Sequence, residues 1–267
     1  MPGSCILADP SPIAHMNVKK SPWYTDGPVY FRILGEDIQE VEFLMEPGQR
    51  IMLQPDTFVA AVGGVRSLGV TWGRSLLDPV LRRWSGEAAV LQEIVCEDEP
   101  ARVILGAGQF GRIVRLKVTR DRPIFAQRGA FVAASGTIDL GIAVTARLRA
   151  GLFGGQGIVF QRISGEGDVF LHALGTVNDW ILPKGKIARC STNNILAFDA
   201  SVGYDVQFAG GAMTLLFGSQ GFFLSQLEGP GRVITQSLDH GAFVNTLVKH
   251  NKRALKTSSA TQQTDDQ

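Results

Sequence analysis

IMLQPDTFVAAVGG (51–64) recurs further along the chain as IFAQRGAFVAASGT (124–137), without a gap. Seven of the fourteen positions are identical, and they include all of the FVAA segment at 58–61 and 131–134. ILAFDASV (195–202) is a weaker third copy, which follows FVAASGTI (131–138) after 64 residues and keeps its apolar pattern. The same 64 residues separate GIVFQRISGEGDVFLHAL (157–174) from GFFLSQLEGPGRVITQSL (221–238). Such repetition predicts related units that bury their faces against one another.

We therefore predict one compact β body over 28–240, built from three approximate repeats at about 36–105, 106–175 and 176–238. AVLQEI (89–94) is the first-unit counterpart of IVFQRI (158–163). Each unit should place its FVAA-like strand, at 58–61, 131–134 and 195–198, in an equivalent and largely buried position. The small alanines in these segments suit close packing of sheets.

The remaining pattern indicates many short strands and little helix. The chain has 31 glycines, and RIVRLKVT (112–119) alternates as a strand with unlike faces does. Glycines that suit tight hairpin turns are Gly165, Gly167, Gly229 and Gly231. Helical spacing with late Lys and Arg predicts a short C-terminal helix at 241–256. Residues 1–27 are predicted to be a flexible N-terminal segment, and 257–267 a disordered tail.

Composition excludes several classes of protein. Hydrophobic residues make up 45% and charged residues 19%, which is ordinary for a globular protein. A net charge of +1 provides no broad positive field, so nucleic acid is not expected as a partner. The three cysteines, Cys5, Cys96 and Cys190, fit neither a disulfide framework nor a zinc knuckle. Without a long apolar stretch or a signal-like start, the sequence predicts a cytoplasmic protein.

Two motifs resemble cofactor sites but lack what those sites need. GAGQFG (106–111) has the spacing of a dinucleotide fingerprint, yet a strand pattern follows it where a phosphate-binding helix is required. We interpret it as a loop between strands. The turns at Pro47–Gly48 and Pro183–Gly185 resemble those of cupin enzymes, but Ala188 stands where a cupin would have a ligand histidine. No cofactor or metal is therefore predicted. The histidines lack the paired spacing of a metal site, and they are His15, His172, His240 and His250.

No arrangement for nucleophilic catalysis is evident. A GxSxG elbow, a P-loop and a Cys with a nearby His motif are all missing from the sequence. Cys190 lies in a strand-like context and is interpreted as structural, and His172 as a partly buried strand residue. Asp199 and Asp205 could form a carboxylate pair, but we interpret them as solvated loop charges. The sequence therefore predicts no catalytic residue and no enzyme.

Two apolar loops suggest contact with another surface. SLLDPVLRRWSG (75–86) and ARLRAGLFGGQG (146–157) combine leucines, aromatics and arginines. Contacts within an oligomer are the favoured interpretation, and a peripheral membrane contact is the alternative. Many short strands with free edges also favour self-association. A small homo-oligomer is expected, and a trimer is the size that family analogy suggests.

Several segments together resemble the mitochondrial biogenesis family that is named after altered inheritance of mitochondria protein twenty-four. They are GEDIQEVEFLMEPGQRI (35–51), FVAAVGGV (58–65), QRGAFVAASGTIDLGI (127–142), GLFGGQGIVFQRISGEGDVFLHALG (151–175), ILAFDASVGYDV (195–206) and GFFLSQLEGPGRVITQS (221–237). The resemblance runs from about Glu36 to Ser237, and GPGRV and LAFDASV are its most specific parts. Asn193–Asn194 and AAVLQEI (88–94) depart from the family pattern.

This resemblance implies a fold like that of the tryptophan RNA-binding attenuation protein, with stacked antiparallel sheets in the double-stranded β-helix style. Fungal members of the family are tied to mitochondrial inner-membrane organisation. The family carries no established catalytic residues, so the resemblance transfers none. The expected function is a non-enzymatic scaffold or interaction protein with an unidentified protein partner. The alternative is a small-ligand binder or a degenerate cupin-like enzyme.

Overall fold

The computed structural model describes residues 6–7, 23–24, 26–71, 90–127, 129–143, 160–209 and 222–238. Within these ranges the chain forms nineteen strands and two short 3-10 turns, and the strands pair antiparallel. The prediction of a mostly β protein with several antiparallel sheets is confirmed. None of the helical turns in the described part has the length and apolarity needed to cross a membrane. The predicted C-terminal helix and tail, and the loops at 75–86 and 146–157, lie outside the described residues.

The strands fall into an N-terminal extension and three groups, in chain order. The extension contains β1 (Ile6–Leu7), β2 (Trp23–Tyr24) and β3 (Tyr30–Leu34). The first group contains β4 (Glu40–Met45), β5 (Arg50–Leu53), β6 (Phe58–Val62), β7 (Val65–Thr71), β8 (Val90–Cys96) and β9 (Ala101–Gly106). The second contains β10 (Arg112–Val118), β11 (Ile124–Gln127), β12 (Phe131–Ala143) and β13 (Phe160–Ala173). The third contains β14 (Val177–Leu182), β15 (Ile187–Ser191), β16 (Ile195–Asp199), β17 (Gly203–Ala209), β18 (Phe222–Glu228) and β19 (Gly231–Gln236).

The strands form three sheets. One has six strands in the order β1-β2-β3-β4-β9-β6. A larger sheet has the order β14-β19-β16-β11-β13-β12-β5-β8-β7, with β10 also paired to β13. A third sheet has the order β15-β18-β17. The 3-10 turns at Pro55–Thr57 and Thr192–Asn194 come immediately before β6 and β16.

The strands pair in the same order in each of the three groups. In the first group β8 lies between β5 and β7, and β9 lies between β4 and β6. In the third group β18 lies between β15 and β17, and β19 lies between β14 and β16. The second group makes the same pairings with two long strands, because β13 continues where β8 and β9 are separate. A β-bulge or irregularity also recurs near the start of β6, β12 and β16.

Each group contributes most of one hydrophobic cluster. The first cluster contains Phe43, Leu53 and Leu105, and the second contains Leu116, Ile163 and Leu171. The third, smaller cluster includes Phe198, Leu227 and Val233. The clusters are not confined to their own groups, because each strand alternates its faces and neighbouring groups share sheets.

The three FVAA-like strands differ in burial, which corrects the prediction that all of them are largely buried. Residues 131–134 and 195–198 are buried. Phe58 and Val59 are instead 44% and 57% exposed. The reason lies in sheet position: β12 is flanked on its outer side by β5, and β16 by β11, whereas β6 ends its sheet.

The prediction of a tight turn at Gly165 and Gly167 also needs correction. Gly165 and Gly167 do not form a hairpin turn, since both lie within the continuous strand β13. A side-chain carbon at Gly165 would lie 2.0 Å from the Thr137 carbonyl oxygen, so the close approach of β12 requires glycine there. In the N-terminal segment, most of which lies outside the described residues, β1 pairs with β2 and Trp23 is only 3% exposed.

Candidate functional site

The first exposed apolar surface is the edge formed by β6, here called the β6 edge. Phe58, Val59 and Val62 are 44%, 57% and 57% exposed. β6 pairs with β9 on one side, and within the described residues no strand pairs with its other side. An outer strand edge presents unpaired N–H and C=O groups together with its side chains. The β6 edge is therefore suited to adding a further strand.

A second exposed apolar surface lies on the third group. Trp180 and Ile181 of β14 are 52% and 74% exposed, and Ile187 at the start of β15 is 44% exposed. β15 pairs with β18 on one side, and it is the last described strand of its sheet on the other. We call this outer side of β15 the β15 edge. Like the β6 edge, it offers free backbone groups beside apolar side chains.

Cys190 lies on β15 and is half-buried. Burial raises the pKa of its thiol to about 11. Nearby, burial also raises the pKa of Tyr204 to about 12, although Ser225 donates a hydrogen bond to its hydroxyl at 3.2 Å. A thiol with so high a pKa is rarely ionised near neutral pH, so it is a poor nucleophile. The Cys190 side chain packs against the third hydrophobic cluster.

A network of four charged side chains joins the N-terminal extension to the second group. Arg115 donates to both carboxylate oxygens of Asp168, at 2.9 and 3.0 Å. Asp26 accepts from Arg115 at 2.9 Å and from Lys117 at 2.8 Å. Hydrogen bonding to Lys117, followed by that to Arg115, lowers the pKa of Asp26 to about 2 against the opposing effect of burial. The network holds the loop at 26–29 against β10 and β13.

Arg115 and Asp168 make the buried part of this network. The Asp168 side chain is 1% exposed and that of Arg115 is 17% exposed. Burial alone would lower the pKa of Arg115, but hydrogen bonds to Asp168 and Asp26 raise it overall. The guanidinium also lies 4.8 Å from the centre of the Phe31 ring. Because every charge in the network is paired within the chain, its evident role is to stabilise the fold.

A second group of charges lies on the outer face of the six-stranded sheet. Glu42 accepts from Arg32 at 2.5 Å and is 3.4 Å from Arg102. All three side chains are less than a tenth exposed. The Arg32 guanidinium lies 4.6 Å from the centre of the Trp23 ring, which covers it. One carboxylate thus offsets two buried guanidinium groups, and the aromatic ring provides further stabilisation.

A small pocket lies where the second and third groups meet. It lies between β10, β16 and β19, and its volume of about 30 Å³ has room for one or two water molecules. Its polar lining is already engaged: the Arg232 backbone N–H donates to Asp199 at 2.8 Å. The Arg232 side chain binds both oxygens of Asp179 at 2.9 and 2.7 Å.

The remaining residues singled out in the sequence are spread over several strands. GAGQFG ends β9 and continues as a loop, and β10 begins directly at Arg112, as the strand pattern predicts. His172 is a half-buried residue of β13, opposite Ile113. Asp199 and Asp205 lie on β16 and β17, in different sheets, so they are strand residues rather than loop charges. His15, His240, His250 and Cys5 lie outside the described residues.

Cys96 is buried at the end of β8. Its thiol donates to the carbonyl oxygen of Glu99 at 3.1 Å, and burial raises its pKa. In the described ranges, no three side chains of the His, Cys, Asp and Glu types come together in a way that could hold a metal ion. Ala188, at the position where a cupin would have a ligand histidine, lies on β15.

Most of the described β body matches a known protein family. The family model described as Mitochondrial biogenesis AIM24 matches residues 31–238, which include β4 to β19. The chain belongs to this family. The match spans all three strand groups, so membership of the AIM24 family applies to the whole described β body. The resemblance recognised from the sequence segments is confirmed.

A solved structure shares the fold of this AIM24 family chain. It is the X-ray crystal structure of a Streptococcus pyogenes protein from a structural genomics programme, with a TM-score of 0.63 and 20% sequence identity. The match covers 83% of this chain and 99% of the streptococcal chain. None of the curated proteins matches this chain in sequence. The likeness supports the arrangement of antiparallel sheets and assigns no activity.

Sequence reasoning missed the two charged networks and the two open edges. Arg115 and Asp168 are 53 residues apart, and no local motif links them. The one available signal was the presence of Arg115 and Lys117 on the same face of the alternating strand at 112–118. Neither edge could be read from the sequence, because an edge is defined by the strand that is missing beside it.

Proposed function

We propose that this chain is a non-enzymatic scaffold or interaction protein, which binds other proteins through its open strand edges. The observation that carries this proposal is the β6 edge, where Phe58, Val59 and Val62 are all more than two-fifths exposed. In β12 the residues that correspond to Phe58 and Val59 are Phe131 and Val132, which are 4% and 1% exposed because another strand covers them. A strand with this sequence is therefore suited to burial against a partner strand.

The repeated hydrogen bonding supports a finer proposal about the fold. We infer that the chain consists of three copies of one unit, of the double-stranded β-helix type seen in attenuation protein-like folds. The strands pair in the same order within each of the three groups, which supports this inference. The bulge shared by the three FVAA-like strands supports it as well. A cytoplasmic location and a small homo-oligomer are part of the same proposal.

The proposal is tested by changing the β6 edge in the full chain. Val59→Asp and Val62→Asp should abolish the specific adducts that short-range cross-linking of native lysate gives with the unchanged chain. Arg120→Asp in the turn between β10 and β11 is the matched control, because the Arg120 side chain is 83% exposed and belongs to neither edge. Adducts that persist in both β6 variants would contradict the proposal.

Metal analysis of the purified chain separates this function from the alternative. A cupin-like enzyme would hold a metal ion in stoichiometric amount. The interaction protein proposed here should contain no stoichiometric iron, manganese or zinc. A full equivalent of any of these, removed by a chelator with a loss of thermal stability, would favour the small-ligand or enzyme alternative.

A further inference from the structure

Neighbouring groups of strands are joined by one kind of contact. β5 of the first group pairs with β12 of the second, with Leu53 opposite Ala133. β11 of the second group pairs with β16 of the third, with Ala126 opposite Ala197. In both contacts the second strand of one group binds the FVAA-like strand of the next group. The two contacts have the same register when the groups are aligned on Phe131 and Ile195.

The contact also completes a core. Val132 and Ala133 belong to the hydrophobic cluster of the first group, together with Phe43 and Leu53. Leu196 and Ala197 belong to the cluster of the second group in the same way. In β12 and β16 the two central residues of the FVAA-like segment thus pack into the cluster of the group before it. This packing leaves Val132 only 1% exposed and Leu196 0% exposed.

The series is open at both ends. No described strand of the chain binds the outer side of β15, which is the second strand of the last group. Its inward residues Ala188 and Cys190 are only half-buried, whereas the aligned Ile51 and Leu53 are 1% and 0% exposed. At the other end, the described residues include no preceding group that could bind the FVAA-like strand β6. Val59, which aligns with Val132, is 57% exposed.

We propose that β15 of one copy pairs antiparallel with β6 of a second copy, so that the chain assembles head to tail through the contact that already joins its own groups. The register of β5 with β12 and of β11 with β16 assigns the facing residues. Ala188 lies opposite Val62, Arg189 opposite Ala61, and Cys190 opposite Ala60. This inference rests on the proposed interaction function and names its partner, which is a second copy of this chain.

Pairing of β15 with β6 continues both the strand hydrogen bonding and the hydrophobic core from one copy into the next. An added strand provides partners for the free N–H and C=O groups of both edges at once. It also removes Val59 from water and covers the half-buried side of the third cluster near Cys190. The two surfaces are different, so the contact is heterologous, and the two end copies of an open assembly each keep one free edge until it closes into a ring. The rotation between successive groups then sets the number of copies.

A disulfide tests the register. The Gln54 N–H donates to the Val132 carbonyl oxygen at 3.1 Å, so the adjacent pair Leu53 and Ala133 is a pair without hydrogen bonds between its members. Facing residues of this kind have Cα atoms about 4.5 Å apart, within reach of a disulfide. Cys190 and residue 60 of the second copy occupy the equivalent positions. Ala60→Cys should therefore form an intermolecular disulfide with the native Cys190.

The reaction is run on the full chain with oxidised glutathione at about pH 9, because the raised pKa of Cys190 makes its thiol react slowly near neutral pH. The two thiols lose two protons and two electrons, and the oxidant becomes two molecules of reduced glutathione. We expect dimers and higher covalent species on a non-reducing gel. The double variant A60C/C190S should give none, and Ala61→Cys, which lies opposite Arg189, should react at least about tenfold more slowly. Equal rates for the two cysteine variants, or a disulfide within one monomer, would overturn the proposal.

Association of the unmodified chain provides the second test, by light scattering on purified protein. The wild type should have a mass several times 28.8 kDa at micromolar concentration. Val59→Asp should weaken association at least about 100-fold, because it places a carboxylate in an apolar contact. Arg120→Asp should associate as the wild type does, because this exposed side chain belongs to neither edge, and circular dichroism checks that both variants fold.

The outcomes separate this inference from the proposed function. A wild-type chain that is strictly monomeric, or a Val59→Asp variant that assembles normally, would overturn head-to-tail assembly. If the chain is monomeric yet its adducts in lysate still depend on Val59, the interaction function stands and the partner is another protein. If both tests fail, the proposed function fails as well.

Discussion

At the scale of single residues, the decisive interactions are ion pairs between strands that are far apart in the sequence. Asp168 is 1% exposed and is neutralised by Arg115. Glu166, two residues earlier, forms a looser pair with Arg120 at 3.7 Å, with both side chains more than two-thirds exposed. Two carboxylates on the same strand therefore contribute very differently to the stability of the fold. Burial decides this difference, since water screens the exposed pair and not the buried one.

Asp168→Ala should lower the free energy of unfolding by about 3 kcal/mol, because it leaves the Arg115 guanidinium buried without its main partner. Glu166→Ala is the matched control on β13, and its cost should stay below about 0.5 kcal/mol. Urea denaturation followed by circular dichroism measures both. A similar loss in the two variants would show that the Arg115 network does not stabilise the fold.

Asp26 predicts a dependence of stability on pH. Its pKa is lowered from 3.8 to about 2 in the folded chain. A lowered pKa means that the group stabilises the fold above pH 3.8, and that this contribution is lost as the pH falls toward 2. Thermal unfolding of the wild type and of Asp26→Asn should therefore differ most above pH 4, and the difference should shrink on acidification. A difference that grows below pH 4 would contradict the assignment.

At the scale of elements, β13 is the central strand of the molecule. It pairs with β10, β11 and β12 along its fourteen residues. Two glycines allow this, because at Gly165 and Gly167 the backbone of β12 comes within the distance that a side chain would occupy. The sequence GEGD, which resembles a hairpin turn, therefore serves as a place of close contact inside a long strand.

Gly165→Ala should destabilise the chain by more than about 2 kcal/mol. The φ of Gly165 is +114°, and its new methyl group would lie 2.0 Å from the Thr137 carbonyl oxygen. Gly69→Ala on β7 is the control, because no atom lies within 4 Å of the added carbon. That variant should be neutral or slightly stabilised. Thermal unfolding of both variants provides the measurement, and equal melting temperatures would exclude a special role for Gly165.

At the scale of the whole molecule, the three strand groups form a series whose two ends differ. Neighbouring groups share a sheet and hydrophobic clusters. The strands at the two ends, β6 and β15, remain half covered. The interior contacts stabilise one copy of the chain, whereas in the proposed assembly the ends would determine how copies associate. The proposed assembly would therefore change the ends and leave the middle of the molecule as it is.

Amide hydrogen exchange should show this difference directly. When the concentration rises from low to high micromolar, amides of β6 and β15 should become more protected, because assembly gives them strand partners. Amides of β13 should be protected equally at both concentrations, since they are already paired within one copy. Protection of β6 that does not depend on concentration would argue against assembly through these edges.

Much of the local structure follows from the sequence alone. Alternation over 112–119 predicts β10, and the strand pattern after GAGQFG identifies that segment as a loop rather than a nucleotide site. Similar segments in a shared order identify the AIM24 family. These features depend on short-range chemistry, on the preference of alternating residues for a strand and of glycine for a turn, and so a local stretch of sequence determines them.

Only the tertiary structure decided which of these segments are buried. FVAA at 58–61 and at 131–134 is the same sequence, yet β6 is exposed and the start of β12 lies in the core. The difference comes from β5, which covers β12, while no described strand covers β6. In the same way, Asp168 is a buried ion-pair partner and Glu166 an exposed one because of where β10 lies. Burial and charge pairing depend on neighbours that are distant in the chain, and a repeated sequence cannot show where a series of repeats ends.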